Sequence, residues 1–254
     1  MYRQLPQIEK KHWWFIGRRL LVESALKKAG FKKGKRALDL GCGTGGNLAF
    51  LKKFCPSVLG LDFSKLALKI ARKKQPRSKF IQADLNQLEK IFPEEKFDLI
   101  TIFNVLYHRW VKNEEKVLEQ SYSILKPGGI LVMTEPAFNW LKRSHDTLDM
   151  AKKRYRLIEF KRVFKKTGFQ PIKMTYFNSF GLLPALILKI VETATDPKQQ
   201  KAGANELNLP PPLLNKLLLM VFRLEIKLIN VLGSLPLGVT LFCLVQKPPG
   251  AKKN

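Results

Sequence analysis

A glycine-rich loop beside a carboxylate is the strongest chemical signal in the sequence. The segment DLGCGTGGN covers residues 39–47 and lies between an apolar run and a segment with helical spacing. Glycines let the chain turn tightly and let a ligand approach the backbone with no Cβ atom in between. Gly41, Gly43 and Gly46 also satisfy the GxGxxG spacing of dinucleotide-binding loops. The spacing alone therefore predicts a nucleotide-like cofactor without identifying it.

Asp39 favours one class of cofactor over the other. Its carboxylate, at the end of the first predicted strand, would repel a pyrophosphate but attract the ammonium group of a methionine moiety. Asp62 ends the second strand, where two oxygens can accept both hydroxyls of a ribose. Asp84 can accept from an adenine amine, while Leu85 can offer its backbone N–H to the ring and Phe63 can cover one face. These residues favour S-adenosylmethionine over a dinucleotide.

Five motifs follow one another along residues 37–135: DLGCGTG, LGLDFS, QADLNQL, FDLITIFNVLYH and LKPGGILVMTEP. In order and spacing they resemble the motifs of class I S-adenosylmethionine-dependent methyltransferases. The resemblance implies a cofactor site lined by Asp39, Gly41, Gly43, Gly45, Asp62, Asp84 and Asn104. Cys42 lies in the same loop, where we expect a small packing residue of the cofactor site and not a nucleophile.

The elements that position these residues alternate between strand and helix. Such alternation predicts βαβ units and a parallel sheet covered on both faces. The resemblance implies a doubly wound, Rossmann-like α/β fold with seven strands in the order 3-2-1-4-5-7-6 and strand 7 antiparallel. FQPIKMTYF (169–177) and GVTLFCLVQK (238–247) are the expected strands six and seven.

We expect one methyltransferase domain over residues 1–254, with additions at two places. Residues 1–30 contain HWWFIGRR, which is similar to an N-terminal element that caps the cofactor site in type 11/12 methyltransferases. Arg18 in this element could pair with a methionine carboxylate or lie on a solvated helix face. Residues 178–236 form a leucine-rich helical insertion between strands 6 and 7, where the fold normally needs a short hairpin.

The candidate general base is His108, which follows strand four at the mouth of the predicted site. Its alternative role is to pack against or cap the next helix. His145, Asp146 and Tyr155 are weaker candidates on the acceptor side. A metal-dependent methyltransferase needs a cluster of carboxylates after strands four and five. Asn104 and Glu135 do not form such a cluster, so we predict no metal.

Known acceptor signatures are missing after strand four. The sequence has neither the Asn-Pro-Pro-aromatic motif of amine-directed nucleic-acid methyltransferases nor the Pro-Cys pair of cytosine-C5 enzymes. We therefore expect transfer to a hydroxyl, carboxyl or carbon of a small or lipid-like acceptor. The alternatives are an RNA-directed methyltransferase and a non-enzymatic nucleotide- or cofactor-binding protein.

The excess of basic residues indicates which kinds of partner the protein could bind. With 46 Lys and Arg against 20 Asp and Glu, the net charge is +26, which attracts polyanions. An anionic membrane surface, RNA and a merely solvated basic surface all fit this excess, and nucleic acid is the weaker expectation. The apolar insertion could hold a lipid-like acceptor, lie on a membrane, or pack within the protein or a dimer.

The cysteines and the composition of the N-terminal residues indicate the cellular compartment. The three cysteines match no disulfide or zinc pattern, and the first residues have no apolar signal core. We therefore expect a cytoplasmic protein with peripheral membrane association.

Overall fold

Short apolar runs form one mixed sheet in the computed structural model, which describes residues 5–94, 96–144, 146, 150–194 and 208–250. The sheet order is β3-β2-β1-β4-β5-β7-β6, and β7 runs antiparallel to both of its neighbours. This order confirms the expected doubly wound α/β fold. The strands are β1 (Arg36–Leu40), β2 (Ser57–Asp62), β3 (Lys79–Gln82), β4 (Phe97–Phe103), β5 (Leu125–Pro136), β6 (Gln170–Phe177) and β7 (Thr240–Gln246).

Helices cover both faces of the sheet. They are α1 (Leu5–Lys11), α2 (Trp13–Lys28), α3 (Leu48–Leu51), α4 (Lys65–Lys74), α5 (Leu88–Ile91), α6 (Glu114–Ile124), α7 (Leu157–Thr167), α8 (Leu182–Ala194) and α9 (Pro212–Leu232). The sequence predicts one helix over residues 12–29, and α2 confirms it with His12 and Ala29 as its caps, whereas α1 was not predicted. The His12 side chain accepts a hydrogen bond from the Trp14 N–H at 3.2 Å and caps α2.

Alternate strand residues divide the core into two layers. Leu131 and Met133 of β5 pack on one face, whereas Ile130 and Val132 pack on the other. The same alternation holds along β7, so both faces of the central strands are covered. Phe222 of α9 belongs to the second layer, which ties the helix between β6 and β7 to the main core.

The start of β5 differs from the sequence-based expectation. The Pro127-Gly128-Gly129 segment reads as a helix stop with a strand from residue 130, but β5 already begins at Leu125. Leu125 pairs with Phe97, and a register shift between Phe97 and Leu99 accommodates the extra residues. The apolar run that starts at residue 130 therefore predicts only the part of β5 that pairs with β4 in continuous register.

The carboxyl ends of β1, β2, β4 and β5 lie at one edge of the sheet, because these strands are parallel. The edge is where open α/β sheets bind their ligands. Helices α8 and α9 lie between β6 and β7, and α9 packs along α2. Within the described residues, no helix has both the length and the apolarity needed to cross a membrane.

Candidate active site

The glycine loop connects β1 to α3 at the edge formed by the strand ends. Gly41 has a φ of +68°, and a Cβ there would lie 2.4 Å from the Val105 side chain. Only glycine fits a position with both constraints. The N–H of Cys42 donates to the Leu61 carbonyl at 2.9 Å, which holds the loop against β2. Gly43 and Gly45 also have positive φ, so the loop presents backbone to the site.

Asp39 lies under this loop with 1% of its surface exposed. Its Oδ1 accepts a hydrogen bond from Thr101 Oγ1 at 2.7 Å. Its Oδ2 is buried and has no hydrogen-bond partner in the described part of the chain. Burial raises the pKa of Asp39 to about 6, against the opposing effects of the Thr101 hydrogen bond, the Arg18 charge and the nearby Asn47 amide. The carboxylate therefore has an unsatisfied acceptor in a dry position.

Arg18 reaches the same place from α2. It is 5% exposed, its guanidinium carbon lies 4.8 Å from the centre of the Phe103 ring, and it donates to Asn47 Oδ1 at 3.4 Å. Burial lowers the pKa of Arg18 to about 10, which leaves the group charged at neutral pH. Its Nε is buried without an acceptor among the described residues. The structure thus places Arg18 inside the site and not on a solvated face.

The two unpaired atoms have complementary chemistry. Asp39 offers a buried anionic acceptor, and Arg18 offers a buried cationic donor. Buried polar atoms are almost always paired in folded proteins, so two orphans at one loop indicate a ligand that supplies both partners. The ammonium and carboxylate of an α-amino acid group would do so.

Asp62 connects the loop to the end of β2. Its Oδ2 accepts from the Gly43 N–H and its Oδ1 from the Ser64 N–H, both at 2.8 Å. Each oxygen can accept a second hydrogen bond, so the carboxylate is oriented by the backbone and still able to bind a ligand. The predicted ribose position is compatible with this geometry.

The predicted adenine residues lie after β3. Asp84 is exposed and its Oδ1 accepts from the Asn86 N–H at 2.9 Å. Leu85 is half-buried and begins a short 3₁₀ turn that ends at Gln87. The side chain of Asp84 therefore orders the turn that presents Leu85.

Phe63 has an aromatic neighbour that the sequence analysis did not identify. Phe63 and Trp110 are 55% and 50% exposed, and their ring centroids are 5.6 Å apart at 37°. The Trp110 carbonyl accepts from Asn86 Nδ2 at 3.0 Å, which ties this loop to the turn after β3. Two large exposed rings beside the strand ends offer a surface for a flat ring.

Helix α1 covers the loop through Glu9, a second residue missed from sequence. Glu9 accepts from Thr44 Oγ1 at 2.9 Å and pairs with Lys74 Nζ at 3.1 Å. Its carboxylate also lies against Gly46, where a Cβ would come within 2.4 Å. The absence of a Cβ at Gly46 lets the Glu9 carboxylate lie directly against the loop, a contact that the GxGxxG spacing does not indicate.

Asn104 ends β4 in a left-handed conformation with a φ of 58°. Its N–H donates to the Thr134 carbonyl at 2.7 Å, and Thr134 Oγ1 donates to Asn104 Oδ1 at 2.8 Å. These bonds fix the turn at the point where the chain leaves the sheet. The next residue, Val105, lies against Gly41 of the glycine loop, and the role of Asn104 in the cofactor site stays a prediction.

Glu135 holds the segment that follows this turn. It is fully buried and accepts from the N–H groups of Val105, Leu106 and Tyr107 at 2.8–3.2 Å. Burial raises the pKa of Glu135 to about 8, although the three backbone donors oppose the shift. The carboxyl group of Glu135 stabilises the backbone that leads to the candidate base.

His108 is half-buried at the end of that segment. Its ring centroid lies 4.0 Å from that of Tyr107, and its backbone forms an antiparallel bridge with Ala151. His108 therefore stands on a backbone fixed from both sides, close to the strand-four edge.

The weaker acceptor-side candidates have other contacts. The Tyr155 hydroxyl is within 2.9 Å of both the Leu106 carbonyl and Glu114 Oε1. Asp146 pairs with Arg154 at 2.8 Å and accepts from the Arg143 N–H. His145 lies outside the described residues. Among the residues that the structure describes, no group of three His, Cys, Asp or Glu could hold a metal.

Comparisons with known proteins agree on the central segment. Residues 38–133 match the family described as "Methyltransferase domain". The demethylmenaquinone methyltransferase of Thermus thermophilus is 40% identical over 124 residues, which cover 46% of this chain and 53% of the relative. The trans-aconitate 2-methyltransferase of Escherichia coli is 34% identical over 109 residues, covering 42% and 41%. The chain thus spans about half the length of the curated relatives it matches.

A solved structure extends the likeness in fold. The SAM-dependent methyltransferase from Archaeoglobus fulgidus superposes with a TM-score of 0.57 at 18% identity, covering 90% of this chain and 94% of that one. At this identity the superposition supports the fold alone.

Proposed function

We propose that this chain, which carries a methyltransferase domain of the class I type, transfers a methyl group from S-adenosylmethionine to a hydroxyl, carboxyl or carbon of a small, lipid-like acceptor. One observation carries the cofactor assignment. The unpaired Asp39 Oδ2 and the unpaired Arg18 Nε lie buried at the same glycine loop, in the described part of the structure. S-adenosylmethionine has the amino acid group that this arrangement fits, whereas a dinucleotide would bring phosphate to Asp39.

The chain's own residues bind and orient the cofactor. Asp39 would accept from the ammonium group, Arg18 would donate to the carboxylate and Asp62 would accept from the ribose. Phe63 and Trp110 would hold the adenine between the turn after β3 and the loop after β4. Bound in this way, S-adenosylmethionine supplies a methyl group on a sulfonium that is already an activated leaving group.

Two pairs of aromatic side chains pack near the ends of β5 and β6, on the acceptor side of the proposed site. Trp14 stacks on Phe177 with ring centroids 5.4 Å apart, and Phe138 stacks on Tyr176 at 4.7 Å. Phe177, Phe138 and Tyr176 are buried, so these rings would exclude water from this end of the sheet, which favours transfer in line. His108 would remove the proton from a hydroxyl or carbon acceptor as the new bond to the methyl group forms.

An apolar acceptor is supported by α8, which follows β6. The helix contacts the 3₁₀ turn Asn139–Leu141 after β5, and Arg143 pairs with Glu192 at 2.6 Å. Leu183 and Ile187 on α8 are 65% and 52% exposed. A helix that displays apolar side chains beside the acceptor-side loops suits a ligand with hydrocarbon character.

The names of the matched relatives support an acceptor of small-molecule size. Demethylmenaquinone is the acceptor named in one group of relatives, and trans-aconitate is the acceptor named in another. We extend the proposal to location: the protein is cytoplasmic and associates peripherally with a membrane that holds its acceptor. The exposed leucines of α8 and the net charge of +26 support this part.

The test is methyl transfer from S-adenosylmethionine labelled on the methyl group. The full chain is incubated with the organic-soluble, small-acid and RNA fractions of a cell extract, and each fraction is then separated and counted. We expect label in the organic-soluble fraction, dependent on Asp39. Label in RNA alone would contradict the proposed acceptor class, and no transfer to any fraction would contradict the activity.

A further inference from the structure

Helix α9 has an exposed apolar stripe along its whole length. Six side chains spaced three or four residues apart lie on one face, and those at its two ends, Leu213 and Val231, are more than four-fifths exposed. The helix has 21 residues, so the stripe is about 30 Å long. The six are Leu213, Leu217, Met220, Leu224, Leu228 and Val231. A patch of this size on a folded chain indicates a surface that binds something.

The opposite face of α9 is already packed, so the stripe is not a core face turned outward. Phe222, Ile226 and Ile229 are buried against the main core. Glu225 is also buried and accepts from the N–H groups of Asn178 and Ser179 at 2.9 and 2.6 Å. These contacts fix the rotation of the helix and leave the stripe facing outward.

A row of cations follows one edge of the stripe. Lys216, Arg223 and Lys227 are exposed and lie seven and four residues apart, on the same side of the helix. The single acidic residue of α9 is Glu225, which points to the protein. The outward half of the helix is therefore apolar and basic.

A groove opens beside the other edge. It has a volume of about 590 Å³ and lies between α9 and the segment 235–237. Its walls are almost wholly apolar and include Phe180, Val221, Leu224, Leu228 and Leu237. The groove shares Leu224 and Leu228 with the stripe, so the two form one continuous surface, which can take a hydrocarbon chain.

We propose that this face of α9 is a docking surface for an anionic phospholipid bilayer. The stripe enters the boundary between headgroups and hydrocarbon, the cation row faces the lipid phosphates, and the groove takes one acyl chain. A second copy of the chain fits less well, because pairing two such faces would bring together two cation rows on proteins that each carry +26. The inference rests on the membrane association proposed above but not on the methyl-transfer chemistry.

The experiment is vesicle flotation of the full chain without cofactor or acceptor. Vesicles of equal parts phosphatidylglycerol and phosphatidylcholine are compared with vesicles of phosphatidylcholine alone, at low and high salt and with added RNA. We expect the protein to float with the anionic vesicles. Binding should weaken at high salt without vanishing and should survive RNA, because apolar burial adds to the charge attraction.

Two matched pairs of variants locate the surface. K216E/R223E/K227E on α9 is compared with K161E/R162E/K165E on α7, which makes the same change in net charge at exposed positions. L217S/L224S is compared with L66S/I158S, which changes apolar side chains of similar exposure elsewhere. We expect the α9 variants to lower partitioning at least about tenfold and the controls less than about twofold, with thermal melting unchanged in all four.

Each alternative to lipid binding by the α9 surface predicts a different result. Equal losses in both members of each pair would overturn the α9 surface and leave membrane association without a location. Loss of flotation in the presence of RNA would overturn the lipid surface in favour of nucleic acid. A dimer that L217S/L224S makes monomeric, with no flotation of the parent chain, would show that a second copy covers the stripe. None of these outcomes depends on whether methyl transfer is detected.

Discussion

Arg18 Nε and Asp39 Oδ2 are both buried beneath the glycine loop, and neither has a hydrogen-bond partner among the described residues. The two groups carry opposite charges and attract one another, yet each retains one atom for a ligand. In the proposed function, Asp39 binds the ammonium end of the amino acid group and Arg18 binds its carboxylate end.

The first prediction separates the amino acid contact from the rest of the site. Arg18→Met retains the length and the packing on Phe103 but removes the donor. Hydrogen bonds to charged groups contribute about 1.5–3 kcal/mol, so binding of S-adenosylhomocysteine should weaken roughly tenfold to a hundredfold. Calorimetry with 5′-methylthioadenosine, which lacks the amino acid group, is the control and should show little change. Equal weakening of both ligands would mean that Arg18 only supports the fold.

The second prediction is a pH dependence of binding that comes from Asp39. Burial raises its pKa to about 6 in the folded protein, and a ligand ammonium favours the ionised form. Affinity for S-adenosylhomocysteine should therefore rise between pH 5 and 7, by up to about tenfold per pH unit, and level off above. Asp39→Asn should bind weakly at every pH. An affinity of the parent chain that does not change from pH 5 to 8 would contradict the role of Asp39.

The third prediction concerns stability without ligand. Asp39 takes up its proton more readily in the folded chain than in the unfolded chain, so its contribution is favourable at low pH. It is lost as pH rises from the ordinary value of 3.8 through about 6. The full difference corresponds to about 3 kcal/mol in the free energy of unfolding. Asp39→Asn should accordingly melt higher than the parent at pH 8 and no higher at pH 4. A lower melting temperature for the variant at pH 8 would show that the charged carboxylate stabilises the fold.

The fourth prediction concerns Asp62. The Gly43 and Ser64 N–H groups each use one of its oxygens, so Asp62→Asn retains one backbone contact and loses one acceptor. We expect the affinity for S-adenosylhomocysteine to fall at least about tenfold, because charge-assisted bonds to the ribose are lost. Asp84→Asn, an exposed carboxylate at the next strand end, should have a smaller effect. A folded Asp62→Asn protein with unchanged affinity would exclude the ribose contact.

The fifth prediction addresses His108. If it acts as the base, His108→Gln should lower kcat by about 10²–10⁴-fold and leave the dissociation constant of S-adenosylhomocysteine unchanged. The parent enzyme should also lose activity at acid pH, where a protonated imidazole cannot act as a base, and the variant should not show this loss. An unchanged kcat in the variant would reduce His108 to a packing residue.

Much of the sheet could be predicted from local patterns. FDLITIF at residues 97–103 is a continuous apolar run, and such runs form strands buried on both faces. The order of the strands could not be read from those runs and came from the family resemblance. The start of α2 was predicted at residue 12, but α1 was missed, because LPQIEKK has few apolar residues with helical spacing. Asn215, 202 residues away in the sequence, also contacts the boundary between the two helices: its side-chain oxygen accepts from the Trp13 N–H at 2.9 Å.

The site, too, could be predicted only in part, because some of its contacts join residues that are distant in sequence. Asp39, Asp62 and Asn104 lie at strand ends, where the topology brings them to one edge. Glu9 and Trp110 act through neighbours distant in sequence, Gly46 and Phe63, and neither belongs to a motif. A lone acid in a polar helix and a lone exposed tryptophan become informative only when the fold places them against the glycine loop and the turn after β3.

The central claim, that the buried Asp39 and Arg18 bind the amino acid group of S-adenosylmethionine, can be tested most directly by calorimetry. S-adenosylmethionine, S-adenosylhomocysteine and NAD are titrated into the parent chain and into Asp39→Asn at pH 7.5. We expect the parent chain to bind the first two compounds at one site and to give no heat with NAD, and we expect the variant to lose most of its affinity for both sulfur compounds. Tight binding of NAD with no response to either sulfur compound would contradict this claim.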